Sequence, residues 1–283
     1  MIVKVVIPAA GMGTRLLPAT LQQPKEMLPI FSSNSSKQLC LKPLIQLVFE
    51  KLYQNNLREF CFVVGKGKRS IEDHFTFDVD LIKHFRKNRK FNVIEDLNQF
   101  YEKVRNSKIF FVNQPEPKGF GDALCYAEPF TGNESFLVHA GDDLVLSPNN
   151  DYFNRLLNTF VKNKADAAFC VERVEDPRKY GVIQGKQVEK NLFKVTRIDE
   201  KPLHPKSNIA IVAVYIFNKR IYRCIRSTAL QPDTEVQLTS GIQKLIDEKC
   251  DVYAVELSRN EKRIDIGTAH SYWNALNSTF NSI

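Results

Sequence analysis

Short runs of β-branched and aromatic residues alternate with stretches of helical periodicity, and this alternation points to an α/β architecture. The extended runs are 2–7 (IVKVVI), 59–64 (EFCFVV), 109–113 (IFFVN), 135–139 (SFLVH), 167–171 (AAFCV) and 209–217 (IAIVAVYIF). Several are apolar at nearly every position, the pattern of strands covered on both faces. Between them, 44–55 carries apolar residues at 44, 45, 47, 48, 49 and 52 and stops at Asn55 and Asn56, as a helix does. Residues 119–127 and 152–163 read the same way, the second behind a Ser147–Pro148 turn with Asp151 as its cap. Beyond about residue 170 the texture changes. There 180–184 (YGVIQ), 193–199 (FKVTRID) and 209–217 are separated by Gly, Asn and Pro turns, which predicts antiparallel strands. Residues 235–248 predict a helix, 252–257 a strand, and the tail from Thr268, with the only tryptophan, Trp273, a last helix. The expected fold is one domain over 1–283: a Rossmann-like, mixed, mostly parallel sheet flanked by helices to about residue 165, then a smaller mixed β region from about 166.

Composition narrows the class of function. Apolar residues make up 43% and charged residues 25% of the 283 positions, enough to form a core and unlike a disordered chain. No run reaches the roughly 18–20 apolar residues that span a bilayer. The first ten residues lack a basic leader and a small-residue cleavage site, so they read as a strand and the expected location is the cytoplasm. Six cysteines are scattered without a CxxC pair or a Cys/His cluster at zinc spacing, and read as buried free thiols. A net charge of +8 suits polyanionic ligands, small phosphates among them. The basic stretch 83–90 (KHFRKNRK) is too local to mark a nucleic-acid site and reads as an exposed helix end or loop.

Four segments carry chemistry. The first strand runs into Ala9-Ala10-Gly11-Met12-Gly13-Thr14-Arg15, a loop of small residues whose backbone N–H groups can approach a triphosphate, with a forked cation behind it. By itself this fits a chance turn as well; Leu16 stands where a dinucleotide fingerprint needs its third glycine, and no Walker pattern is present. Gln114 ends a strand before Gly119 and Gly121, so its amide can meet a pyrimidine edge while the glycines leave room for a flat base, although by itself the stretch also reads as a Pro/Gly turn before a helix. The strand 136–139 ends in Gly141-Asp142-Asp143, a place where carboxylates can hold Mg²⁺, although such turns also occur without metal. Glu200-Lys201 pairs a carboxylate suited to vicinal hydroxyls with a cation suited to a phosphate. The histidines have no nucleophile partner in the pattern, which argues against serine- or cysteine-type catalysis.

The combination GMGTRLLPAT…PKEMLPI, from Gly11 to Ile30, resembles the signature of the sugar nucleotidylyltransferases, and the likeness continues along most of the chain. It is most similar to the branch that makes UDP-glucose and pyrophosphate from UTP and glucose 1-phosphate. The resemblance implies the nucleotide-diphospho-sugar transferase fold, Mg²⁺ as cofactor, in-line displacement and a homo-oligomer, with no nucleic-acid or membrane partner. It makes Arg15, Lys25 and Asp142 catalytic. Ala9, Ala10, Gly11, Gly13, Thr14, Glu26, Gln114 and Gly119 would bind nucleotide, and Gly181, Glu200 and Lys201 the sugar phosphate. Asp142 and Asp265 would share the metal, with Asp143 in support; Asp265 lies in IDIGT, which also has the form of a strand end and helix cap. Glu235 would hold the sugar side or cap a helix. Leu21, Asp122 and Ala213 depart from the pattern, the last with a methyl that would crowd the sugar pocket. The same chemistry on another nucleotide or sugar, such as dTTP or N-acetylglucosamine 1-phosphate, and a non-catalytic nucleotide-sugar-binding regulator are the alternatives.

Overall fold

The computed structural model describes residues 2–228 and 234–282. The first part of the chain forms β1 (Lys4–Ala9), β2 (Pro29–Ser33), β3 (Leu39–Pro43), α1 (Leu44–Gln54), β4 (Glu59–Gly65), α2 (Arg69–His74), α3 (Val79–Lys87) and α4 (Phe91–Arg105). It continues through β5 (Lys108–Gln114), α5 (Phe120–Tyr126), α6 (Glu128–Thr131), β6 (Phe136–His139), β7 (Asp143–Leu146), α7 (Asp151–Lys162) and β8 (Ala167–Arg173). The remainder forms β9 (Gly181–Glu189), β10 (Leu192–Glu200), β11 (Ile209–Phe217), α8 (Arg220–Thr228), α9 (Leu238–Asp247), β12 (Val252–Glu256), β13 (Lys262–Asp265) and α10 (Ala269–Phe280).

Among the described residues the main sheet runs β5-β4-β1-β6-β11-β8-β12-β10-β9. β5, β4, β1 and β6 are parallel, and β11 then lies antiparallel to both β6 and β8. One sheet therefore passes through both parts of the chain. Its apolar runs are continuous because alternate residues enter different cores. Val5 and Ile7 join a core with Phe60, Phe62 and Leu137, covered by α1 and α7. Val6 joins Cys61, Val63, Phe136 and Val138 on the opposite side, under α5, α8 and α9. This is the period-two geometry of a strand with no wet face.

Several local expectations change. Asp151 is not the cap of α7: Asn150 takes that position, and the Ser147 hydroxyl accepts from the Asp151 N–H at 3.1 Å. The last-but-one long helix begins at Leu238, so Glu235 neither belongs to it nor caps it. The basic stretch 83–90 closes α3 and turns into α4, on the surface. Two small pairings lie off the main sheet, β2 with β3 and β7 with β13. No helix of the described residues is long and apolar enough to cross a membrane, and all six cysteines are unpaired.

Candidate active site

The loop after β1 is shaped by Gly13. Its φ of 66° is left-handed, and a Cβ there would stand 3.2 Å from that of Thr20, whose hydroxyl donates to the Gly13 carbonyl at 2.8 Å. Conformation and space thus both disfavour a side chain. Ala10, Gly11, Gly13 and Thr14 line a cleft of about 900 Å³ together with Lys25, Glu26, Gln114, Gly119 and Asp142. Ala9 lies beneath, buried at the end of β1. Arg15 reaches the other side of the loop: a Cβ on Gly267 would meet Arg15 Nη2 at 3.1 Å and Asp265 Oδ2 at 3.2 Å, so the two charged groups flank one glycine.

Asp142 and Asp265 approach each other through β-pairing. In the β7–β13 ladder Asp265 stands opposite Asp143, and the next N–H along, that of Ile266, donates to the Asp142 carbonyl at 3.1 Å. The Lys25 ammonium forms a short ion pair with Asp142. Burial works against the Lys25 charge, but Asp142 and then Glu26 more than offset it, and its pKa lies above the ordinary value. Asp142 is held below the ordinary carboxylate range by Lys25 in spite of burial. Asp265 is pushed up, first by burial and then by the charge of Asp142, with Arg263 opposing. Two crowded carboxylates with oxygen donors fit a divalent cation, and Mg²⁺ ordinarily takes one or two carboxylates and completes its shell with phosphate and water. The described residues hold no group of three or more His, Cys, Asp or Glu side chains that would make a protein-only cage.

Behind these groups is a network of which sequence reasoning named only Asp143. Asp143 is buried; its Oδ2 accepts from Arg263 Nε at 2.8 Å and from the Ala213 N–H at 3.3 Å. Burial, with the charges of Asp265 and Asp142, raises its pKa to about 7 despite Arg263. Arg263 also bridges to Glu172 at 3.4 Å and stands over the Tyr180 ring at 5.2 Å. The one legible signal was the R-I-D spacing, which puts Arg263 and Asp265 on the same side of a strand. Glu26 has a similar hidden partner: its carboxylate is buried against Lys68 at 2.8 Å, so it supports the cleft wall rather than facing freely into it. Lys68 follows the end of β4, in a GKGK run that attracted no role from the sequence.

Gln114 is buried at the tip of β5. The glycines beside it do not stand open. A Cβ on Gly119, whose φ is 110°, would fall 2.6 Å from Glu235 Cγ and 2.7 Å from the Val236 carbonyl oxygen. The chain itself fills that space: Val236 N–H donates to Lys118 at 2.7 Å and Gly121 N–H to Val236 at 2.9 Å. Glu235 accordingly lines the same 900 Å³ cleft as Gln114 and Gly119. Gly181, Glu200 and Lys201 gather elsewhere, at the β9–β10 end where Gly181 pairs with Glu200 and the Lys201 N–H donates to the Tyr180 carbonyl at 3.0 Å. They do not line the 900 Å³ cleft. Tyr180, Glu172, Arg263 and Asp265 line a second cleft of about 1070 Å³, so of the two aspartates Asp142 lines the first cleft and Asp265 the second. Ala213 sits at an irregularity in β11, its carbonyl accepting from Ala140 at 3.0 Å, and Leu21 is exposed.

The sequence pattern of the nucleotidyl transferases matches residues 4–282. The chain belongs to the nucleotidyl transferase family. Within it, the chain is 33% identical over 287 residues to a UTP–glucose-1-phosphate uridylyltransferase of Pseudomonas aeruginosa, covering 100% of this chain and 98% of that one. It is 35% identical over 271 residues to a UTP–glucose-1-phosphate uridylyltransferase of Bacillus subtilis, covering 93% and 86%. A UDP-glucose pyrophosphorylase crystallised with UDP-glucose superposes on this nucleotidyl transferase with a TM-score of 0.84 at 30% identity, over 100% of both chains. The mixed α/β fold expected from the sequence is thus the fold of these enzymes.

Proposed function

We propose that this nucleotidyl transferase forms UDP-glucose and pyrophosphate from UTP and glucose 1-phosphate. The observation that carries the reading is the meeting of Arg15, Lys25, Asp142 and Asp265, from three distant segments, beside a nucleotide-sized cleft. The names of its relatives supply the nucleotide and the sugar.

In the proposed reaction a phosphate oxygen of glucose 1-phosphate attacks the α-phosphorus of UTP. The new P–O bond forms as the bond to the β-phosphate oxygen breaks, and pyrophosphate departs with the electron pair. No covalent enzyme intermediate is needed. Negative charges crowd this step, so fixed cations and correct placement supply most of the catalysis. The loop from Ala9 to Thr14 would cradle the triphosphate with backbone N–H groups. Arg15 and Lys25 would take the charge that grows on the leaving group. Gln114 and the Gly119 turn would hold the base, Glu26 would hold the cleft wall through Lys68, and Gly181 and Glu200 would seat the sugar. Lys201 would fix the attacking phosphate. Asp142 and Asp265 would hold Mg²⁺, which when bound withdraws charge from phosphate oxygens.

The reading extends to a cytoplasmic homo-oligomer. Free thiols in all six cysteines suit a reducing compartment. Leu39, Leu41, Trp273 and Phe280 leave apolar surface exposed on β3 and α10, which a second copy would cover. The decisive test is pyrophosphate release from purified protein with Mg²⁺ across a panel of triphosphates and sugar 1-phosphates. UTP with glucose 1-phosphate should be the preferred pair; preference for another pair, or no turnover with any, would overturn the assignment.

A further inference from the structure

Gln114 is only 3% exposed, and its amide is already committed on one side. Nε2 donates to Asp122 Oδ2 at 2.6 Å and to the Gly119 carbonyl at 3.3 Å. A carboxylate and a peptide carbonyl both accept, so only the NH₂ end of the amide can face them. The orientation is therefore set by chemistry and does not depend on telling oxygen from nitrogen by shape. Both N–H groups are spent there, and among the described residues no donor takes Oε1. Gln114 and Asp122 line the same cleft, so the atom Gln114 has left for a ligand is a pure acceptor.

The support is stiff. Asp122 sits in the first turn of α5, and that turn is tied to the segment after Thr234 by the Gly121–Val236 and Val236–Lys118 hydrogen bonds. Gly119 and Gly121 allow the two backbones to touch: a Cβ on Gly121 would come within 2.8 Å of the Val236 carbonyl oxygen.

We infer that Asp122 determines nucleotide specificity by locking the Gln114 amide, so that the site takes a pyrimidine with a ring N3–H and rejects one with a ring N3 lone pair. The inference rests on the proposed reading of Gln114 as the base contact. Uracil and thymine present N3–H to Gln114 Oε1. Cytosine presents a lone pair to a lone pair, and the amide cannot turn over to correct it without breaking two hydrogen bonds and leaving Asp122 against a carbonyl. Asp122 acts through Gln114, so it is a positioning residue. The lock does not separate UTP from dTTP.

The test is calorimetric binding of UTP, dTTP and CTP to the purified protein without sugar, for wild type, Asp122→Asn and Asp122→Glu. No turnover is required, so an inactive protein would defeat the proposed reaction while leaving this measurement intact. Wild type should prefer UTP over CTP. Asn offers either a donor or an acceptor to Gln114, so D122N should lower the UTP/CTP affinity ratio at least about tenfold. The UTP/dTTP ratio should hold, and D122E, which keeps the carboxylate, should retain the preference. Should D122N fail to fold, Asp122→Thr serves, because its hydroxyl also donates or accepts. Equal loss of UTP and CTP binding, or an unchanged ratio in a folded variant, would assign Asp122 a structural part only and overturn the inference.

Discussion

Lys25 holds its charge where burial alone would weaken it, because the charges of Asp142 and then Glu26 support it. A cation kept in place by fixed carboxylates is prepared for charge that appears only as pyrophosphate leaves. Lys25→Ala should lower kcat by about a hundredfold or more while UTP affinity changes much less; an equal loss in both would remove the leaving-group role. Arg263 is a different case. It is the charged partner of Asp143, buried to 1% exposure, and it also reaches Glu172. Arg263→Ala would strand Asp143 without its counter-charge, and urea unfolding should show a loss of about 3–5 kcal/mol. A loss below about 1 kcal/mol would mean that water or rearrangement replaces the guanidinium easily. The motif residues were legible because each has chemistry of its own next to a strand end. Arg263 and Lys68 were not, since a buried ion pair is defined by its partner, and their partners Asp143 and Glu26 are distant in sequence.

At the scale of elements, strands covered on both sides were the easiest to read. Runs such as 59–64 and 209–217 leave little choice but a buried strand, and both are found close to their expected limits, at Glu59–Gly65 and Ile209–Phe217. β7 escaped notice and β13 was read only as a strand end, because each is four residues long and pairs with the other off the main sheet. Yet that pairing is what places Asp265 beside Asp142, which the sequence implied only through its resemblance to a family. The glycines at 119 and 121 were read as room for a base; where their Cβ atoms would stand the Glu235–Val236 segment packs, while Gly119 still lines the cleft. A sequence shows that a side chain is missing but not what uses the space. The helix cap after IDIGT was legible and is present: Thr268 accepts from Ser271 N–H at 3.1 Å, and the Ser271 hydroxyl accepts from Thr268 N–H at 2.9 Å. Thr268→Ala should cost about 1 kcal/mol in a thermal or urea unfolding experiment, with an unchanged Tm contradicting the cap's contribution.

For the molecule as a whole, the sheet is the device that gathers the site. The parallel strands β5, β1 and β6 end at Gln114, the Ala10–Thr14 loop and the Gly141-Asp142-Asp143 turn. β11 then reverses direction, and its Ala213 backbone is bonded to both Ala140 and Asp143, so the later part of the chain is fixed to the same turn. The loop after β1, Lys25, Asp142 and Asp265 thus come together from distant parts of the chain, with Gly181, Glu200 and Lys201 outside the 900 Å³ cleft. The most direct measurement of that convergence is a crystal structure of this protein with UDP-glucose and Mg²⁺. Carboxylate oxygens of both Asp142 and Asp265 at about 2.1 Å from one ion, itself bound to a diphosphate oxygen, is the result predicted. An ion held elsewhere, or a diphosphate lying well away from either aspartate, would contradict the account.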